Sequence, residues 1–178
     1  KIKDINLDEP IIITYCDFFV KWDYKRFLRN IYEFDGSIPV FKGFHPSSYS
    51  GTLYAYIKSD KKKNFIEIKE KESFTKKPQN EYTSCGIYYF KSFKLFKYFA
   101  HKMLNEIKGE AYVSLIYNYM HKEKLKSNIF EVEKFICLGT PFDYINYLFW
   151  QKYFRSNILF KTNIKSKTFN LIPMAGKG

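Results

Sequence analysis

Apolar positions along the chain fall into two kinds of run. Short, unbroken runs of β-branched and aromatic residues alternate with longer stripes spaced three and four apart. The first run, Ile11, Ile12 and Ile13, predicts a strand buried on both faces. Thr14 and Tyr15 carry it to Asp17, the first carboxylate it meets. A turn and then a helix are expected next. Asp23 is placed to cap that helix, whose apolar face is Tyr24, Phe27, Leu28 and Ile31. Gly36 is placed to end it. Residues 37–42 predict a second short strand, and strand–helix–strand predicts a parallel pair. The loop GFHPSSYSG at 43–51, rich in Gly, Pro and Ser, is placed to border a site.

Residues 53–58 and 65–69 predict a hairpin around SDKKKN, whose lysines read as a solvated turn. A polar loop spans 70–83. SCGIYYF at 84–90 reads as another buried strand, with Gly86 marking a close backbone approach. Phe93, Phe96, Ala100, Met103, Leu104 and Ile107 share one face of a long helix. Val113, Ile116, Tyr117 and Met120 mark a second helix after Gly109. Residues 129–137 predict a strand. Thr140, Pro141 and Asp143 then open a helix as N-cap, first-turn proline and dipole partner. Past Phe154 the pattern breaks. Residues 155–168 read as a Lys/Asn/Ser-rich linker, and FNLIPMAGKG at 169–178 as a strand running into a glycine-rich end.

Composition narrows the classes. With 178 residues, 46% of them hydrophobic, the chain can build one real core or part of a larger one. A formal net charge of +12 favours anionic partners: nucleic acid, phosphorylated metabolites or a membrane surface. Basic residues interleaved with tyrosines leave a single-stranded nucleic-acid groove open as a competing class. Against it, the aromatics fall on helix faces and in apolar runs, where core explains them, and no RNA-binding signature appears. Cys16, Cys85 and Cys137 form no C-x-x-C spacing, which argues against a disulfide framework or zinc knuckle and for a reducing cytoplasm. No apolar run is long enough to cross a membrane, and no signal peptide opens the chain. The start at Lys1, without Met, suggests a piece cut from a longer protein.

Asp17 is the leading candidate for chemistry. An acid at the carboxyl end of a buried strand in an α/β sheet faces the crevice where such sheets bind ligands. The plain alternative is a turn-capping Asp. Cys16 beside it reads as a structural thiol, because no base can be placed next to it.

Five stretches, taken in order, carry a family resemblance. PIIITYCDFFVKWDYKRF, FHPSSYSGTLYAYIKSDKKKNFIEIKEK, SCGIYYF, GEAYVSLIYN and LGTPFDYINYL resemble successive motifs of the sugar-phosphate nucleotidyltransferases across residues 10–154. LIPMAGKG resembles the opening glycine-rich loop of the same family, but it follows the closing motif instead of preceding Asp17. The resemblance implies an α/β fold with a mixed, mostly parallel sheet flanked by helices, Rossmann-like and GT-A-like, its N-terminal part missing. It implies residues 1–154 as the C-terminal part of one nucleotidyltransferase domain, 155–168 as a linker, and 169–178 as the first strand and loop of a possible second.

The activity so implied joins an NTP to a sugar phosphate, or a similar phosphorylated metabolite, and releases pyrophosphate. Asp17 would hold Mg²⁺ and Lys71 would bind the acceptor phosphate as catalytic residues. Glu70, Gly86 and His45 would meet the acceptor. Ala175, Gly176 and Gly178 would approach the nucleotide. The family's second metal acid has no counterpart at Ile136, Cys137 or Leu138, which leaves Glu131, Glu133 and Asp143 as substitutes. Lys69, Lys76 and Lys77 lie close to Lys71 and compete for its role. Lys/Asn/Ile/Phe-rich usage points to an AT-rich bacterial genome, and the resemblance to a cytoplasmic enzyme feeding surface-polysaccharide assembly. The chain by itself is expected to be inactive, for want of a glycine-rich loop before Asp17. A degenerate, non-catalytic domain is the remaining alternative.

Overall fold

A computed structural model describes residues 6–43 and 51–156. In chain order the elements are β1 (Ile11–Thr14), β2 (Phe18–Lys21), α1 (Tyr24–Asn30), β3 (Gly36–Phe41), β4 (Ala55–Ser59) and β5 (Phe65–Glu70). Then come β6 (Tyr82–Ser84), β7 (Ile87–Phe90), α2 (Phe93–Glu106), α3 (Ile116–Lys122), β8 (Ser127–Glu131), β9 (Lys134–Cys137) and α4 (Pro141–Arg155). Seven strands form one sheet in the order β1-β7-β3-β6-β4-β5, with β8 also paired to β3, while β2 and β9 form a separate ribbon.

The sheet is mostly antiparallel, which corrects the mostly parallel, Rossmann-like expectation. Among the described residues β3–β8 is the single parallel pair. The cause is β7. Both β1 and β3 run antiparallel to it, so they share a direction, as strand–helix–strand predicts. They are not neighbours, because β7 enters between them from far along the chain. No local pattern announces such an insertion.

Four further expectations change. Ile12 on β1 is 37% exposed while Ile11 and Ile13 pack on the core, so that strand is buried on one face. Gly36 does not end the helix; it opens β3, where a Cβ would stand 2.7 Å from Cε1 of Tyr117. The strand expected over 129–137 is two, β8 in the large sheet and β9 against β2. The turn expected after Asp17 is followed at once by β2.

Sheet residues alternate between two faces. Ile38, Val40, Tyr88 and Phe90 pack against Phe99 and Met103 of α2 and Ile116, Tyr117 and Met120 of α3. On the other face Tyr89 and Phe130 meet Phe27 and Ile31 of the α1 segment. Beside them Phe41, Ile87 and Val132 are covered by Phe18, Val20 and Phe135 from the β2–β9 ribbon. Three layers result. Each fully buried aromatic or aliphatic side chain contributes about 1.5–3 kcal/mol of transfer free energy. Asp23 caps α1 as expected, accepting from the Arg26 amide at 2.8 Å. Thr140 and Asp143 form a reciprocal capping box at the start of α4. No residue of α4 is buried, although it carries Phe142, Phe149, Trp150 and Phe154. No described helix is long and apolar enough to cross a membrane.

Candidate active site

The loops at one end of the strands surround a cleft of about 320 Å³. Asp17, Glu70, Lys71 and Gly86, four of the residues singled out in the sequence, all line it. His45, Ala175, Gly176 and Gly178 lie outside the described residues.

Asp17 sits between β1 and β2. Its carbonyl accepts from the Leu138 amide at 2.8 Å, which extends the β2–β9 ladder by one rung. Its carboxylate lies against the backbone of Gly139, where an added Cβ would come within 2.7 Å of Oδ2. Asp143 lines the same cleft. Its Oδ2 is held by the Thr140 hydroxyl at 2.7 Å and amide at 3.2 Å. A side chain so occupied serves the cap first, as expected of it. Glu131 and Glu133 pair instead with Lys63 and Lys21, away from the cleft lining.

Gly86 marks the break between β6 and β7. Its φ of +78° is the left-handed region that favours glycine. Its carbonyl accepts from the Tyr15 amide at 3.0 Å, and its amide donates to Ser84 Oγ at 3.0 Å. The close approach read from the sequence is made by a ring: a Cβ on Gly86 would stand 2.8 Å from Cδ2 of Tyr15.

Glu70 ends β5, and Lys71 turns the chain with φ +55°. The Lys71 amide donates to Tyr54 O at 2.9 Å, and its carbonyl accepts from the Thr52 hydroxyl at 2.6 Å. Those two bonds fix the turn. The ammonium pairs with Glu110 at 3.3 Å and lies 5.1 Å from the centre of the Tyr112 ring. The Tyr112 hydroxyl also donates to Glu110. That hydroxyl and the lysine hold the Glu110 carboxyl below its ordinary value, and the same group of contacts raises Lys71. Lys69, an expected competitor, instead pairs with Glu72 at 2.6 Å.

Glu70 has a different environment. Burial pushes its carboxyl above the usual range, and the Ser114 hydroxyl, which donates to it, only partly opposes this. Tyr15 is raised by burial and then by the negative field of Glu70, Tyr112 and Asp17. The Tyr15 phenol therefore stands amid the acids of the cleft.

Sequence reasoning did not assign Tyr15, Gly139, Glu110, Tyr112 or Ser114 to the site. Glu110, Tyr112 and Ser114 lie in the quoted stretch GEAYVSLIYN, and Gly139 in LGTPFDYINYL. Their roles depend on how that stretch packs against β5 and how β9 pairs with β2. Spacing along the chain carries neither.

The fold has solved counterparts. A nucleoside-diphosphate-sugar pyrophosphorylase from Vibrio cholerae superposes with a TM-score of 0.61 at 19% identity, covering 81% of this chain and 57% of that one. HddC from Yersinia pseudotuberculosis gives 0.50 at 19% identity, covering 78% and 53%. The chain thus spans little more than half the length of these structures. No protein-family model matches it, and no curated protein does. At such identities the likeness is one of fold: the chain has a mixed α/β, nucleotidyltransferase-like fold.

Proposed function

We propose that this chain is the acceptor-binding and metal-binding side of a nucleotidyltransferase that joins an NTP to a phosphorylated small molecule. The observation that carries the proposal is the convergence of Asp17, Glu70, Lys71 and Gly86 on one cleft in a fold of this type. They come from three separate stretches of the sequence. A surface serving only as scaffold has no reason to gather them.

In the reaction, an acceptor phosphate oxygen attacks the α-phosphorus of the NTP. A P–O bond forms there, the bond to the β-phosphate bridging oxygen breaks, and pyrophosphate carries the electron pair away. Positioning and charge neutralisation supply most of the catalysis. Lys71 holds the acceptor phosphate, its ammonium already aimed by Glu110 and Tyr112. Glu70 orients the rest of the acceptor. Glycine at 86 leaves room for the Tyr15 ring that lines the cleft.

Among the described residues no three His, Cys, Asp or Glu side chains form a metal cluster. Two carboxylates, Asp17 and Asp143, line the cleft near each other's loops, a small donor set. It suits Mg²⁺, which is commonly held by one or two carboxylates completed by substrate phosphates and water. Asp17 would hold the ion, with Asp143 within the same cleft. When bound, it would supply charge neutralisation on the phosphates. A supply of NTP sets the reaction in the cytoplasm. The role in surface-polysaccharide assembly rests on the family resemblance alone.

The test is pyrophosphate release by the full-length protein with Mg²⁺, each NTP in turn and a panel of phosphorylated sugars and alcohols. Release that requires one NTP and is lost in Asp17→Ala is the expected result. No release under any pairing overturns the proposal.

A further inference from the structure

A line of hydroxyl groups follows the wall of the cleft and ends on Glu70. It starts at the Gly86 amide, which donates to Ser84 Oγ at 3.0 Å. Ser84 Oγ donates in turn to the Tyr88 phenol oxygen at 3.0 Å. Ser114 is that phenol's second side-chain hydrogen-bond partner. The Ser114 hydroxyl donates to Glu70 Oε1. Ser84, Tyr88 and Ser114 are all buried, so water does not compete for these bonds.

Direction is built into the line. A backbone amide can only donate, and a carboxylate can only accept. With those ends fixed, each hydroxyl between them receives one hydrogen and passes its own onward. Tyr88 turns its hydrogen toward Ser114, and Ser114 turns its own toward Glu70. Bonds aligned head to tail polarise one another, and a dry surrounding strengthens each. Packing does not call for the phenol. The Tyr88 ring meets Tyr15 edge to face and packs against Tyr117, contacts that a phenylalanine ring would keep. Burial drives the phenol well above its ordinary value, so it keeps its proton and remains a donor.

We infer that Tyr88 is a positioning residue for the acceptor: through Ser114 it fixes Glu70 by one carboxylate oxygen and leaves the other for the acceptor. This inference rests on the nucleotidyltransferase reading and adds to it a residue that acts only through another. The line also ties Glu70 to the turn at Gly86, whose carbonyl binds the Tyr15 amide at 3.0 Å. Two walls of the cleft thus share one support. The charged and titratable groups that act on Glu70 or feel its charge are Lys71, Glu110, Tyr15 and Tyr88. Replacing Tyr88 by phenylalanine removes one hydroxyl and leaves the other three groups in place.

The test is Tyr88→Phe in the full-length protein. Carbon-detected NMR titration of the Glu70 carboxyl, its signal identified by its loss in Glu70→Gln, reads the positioning without any substrate. A weakened donor to the ionised carboxylate moves the Glu70 midpoint to higher pH, and that is the expected result. Ser84→Ala breaks the line one bond earlier and should move the midpoint the same way, so it decides the matter if Tyr88→Phe does not fold. With a phosphorylated sugar that supports pyrophosphate release, the Michaelis constant for that sugar in Tyr88→Phe should rise about fivefold, and turnover should fall less. A Glu70 midpoint that stays in place or moves down, with only the melting temperature lowered, reduces Tyr88 to packing and overturns the inference. A turnover loss larger than the rise in the Michaelis constant overturns it too. If the midpoint moves as expected but no phosphorylated compound supports release by the parent, the support of Glu70 stands and the nucleotidyltransferase reading falls.

Discussion

The carboxylate of Asp17 rests on the α-carbon of Gly139: a methyl group there would come within 2.7 Å of Oδ2. The same added carbon would stand 3.5 Å from the Cys137 sulfur. Residue 139 is therefore a floor under the proposed metal ligand. Its backbone is not in the left-handed region, so alanine brings no backbone strain. Gly139→Ala should fold normally, with stability within about 1 kcal/mol of the parent. It should still push the carboxylate aside. We expect the Mg²⁺ concentration needed for half-maximal pyrophosphate release to rise about tenfold or more, with the melting temperature little changed. An alanine variant that needs no more Mg²⁺ than the parent would show that the contact does not set the carboxylate.

Gly86 behaves differently because two penalties act on it together. A side chain there must adopt φ near +78° and also displace the Tyr15 ring, 2.8 Å from the added carbon. The left-handed conformation alone costs about 1–2 kcal/mol. Gly86→Ala should therefore destabilise the fold by roughly 1–3 kcal/mol in urea unfolding. Combining it with Tyr15→Ala should recover the part due to the ring and leave the part due to the backbone. Strict additivity of the two substitutions would show that ring and glycine do not compete for space.

Four residues that line the cleft were named from the sequence, and the limits of that reading are physical. Glu70 and Lys71 came from the family resemblance alone, whereas Asp17 and Gly86 were recognisable because each sits in a local pattern: the end of an apolar run, a glycine within one. Asp23 and Thr140 were recognisable for the same reason, since capping is settled within four residues. What escaped was set by partners distant in sequence. β7 enters between β1 and β3, and β9 leaves the large sheet to pair with β2. Tyr15 belongs to the cleft only because Gly86 folds back under its ring. Glu110 reaches Lys71 from beyond α2, a pairing that no local spacing announces. Asn118 was part of a quoted motif, yet its role appears only in three dimensions.

That role is to clamp β5. The Asn118 side chain accepts from the Ile68 amide at 3.0 Å and donates to the Ile68 carbonyl at 2.9 Å. It thus imitates a neighbouring strand, two residues before Glu70. Asn118→Ala leaves both backbone groups of Ile68 without that partner, at a cost of about 1–3 kcal/mol. The consequence should reach Glu70 and Lys71 as well as overall stability. Amide exchange at Ile68 should accelerate, and the Michaelis constant for the acceptor should rise more than turnover falls. Asn118→Asp, which keeps the acceptor and loses the donor, should lie between the two. A parent-like exchange rate at Ile68 in the alanine variant would remove the clamp from the account.

Glu70 yields a prediction with a definite sign. Burial raises its carboxyl above the ordinary value of 4.5 in the folded chain. Between 4.5 and that higher value the folded state binds more protons than the unfolded one, so stability falls as pH rises through the interval. Ionised Glu70 thus costs the fold stability above that interval. Glu70→Gln removes that cost. The variant should melt above the parent at pH 7, and the two should converge as the pH drops below 4.5. The same change should weaken acceptor binding, the usual exchange of stability for function at a site that keeps an unmatched charge. Melting curves from pH 4 to 8 for both proteins decide the matter. A glutamine variant less stable than the parent at pH 7 would mean that Ser114 and Lys71 already satisfy the carboxylate.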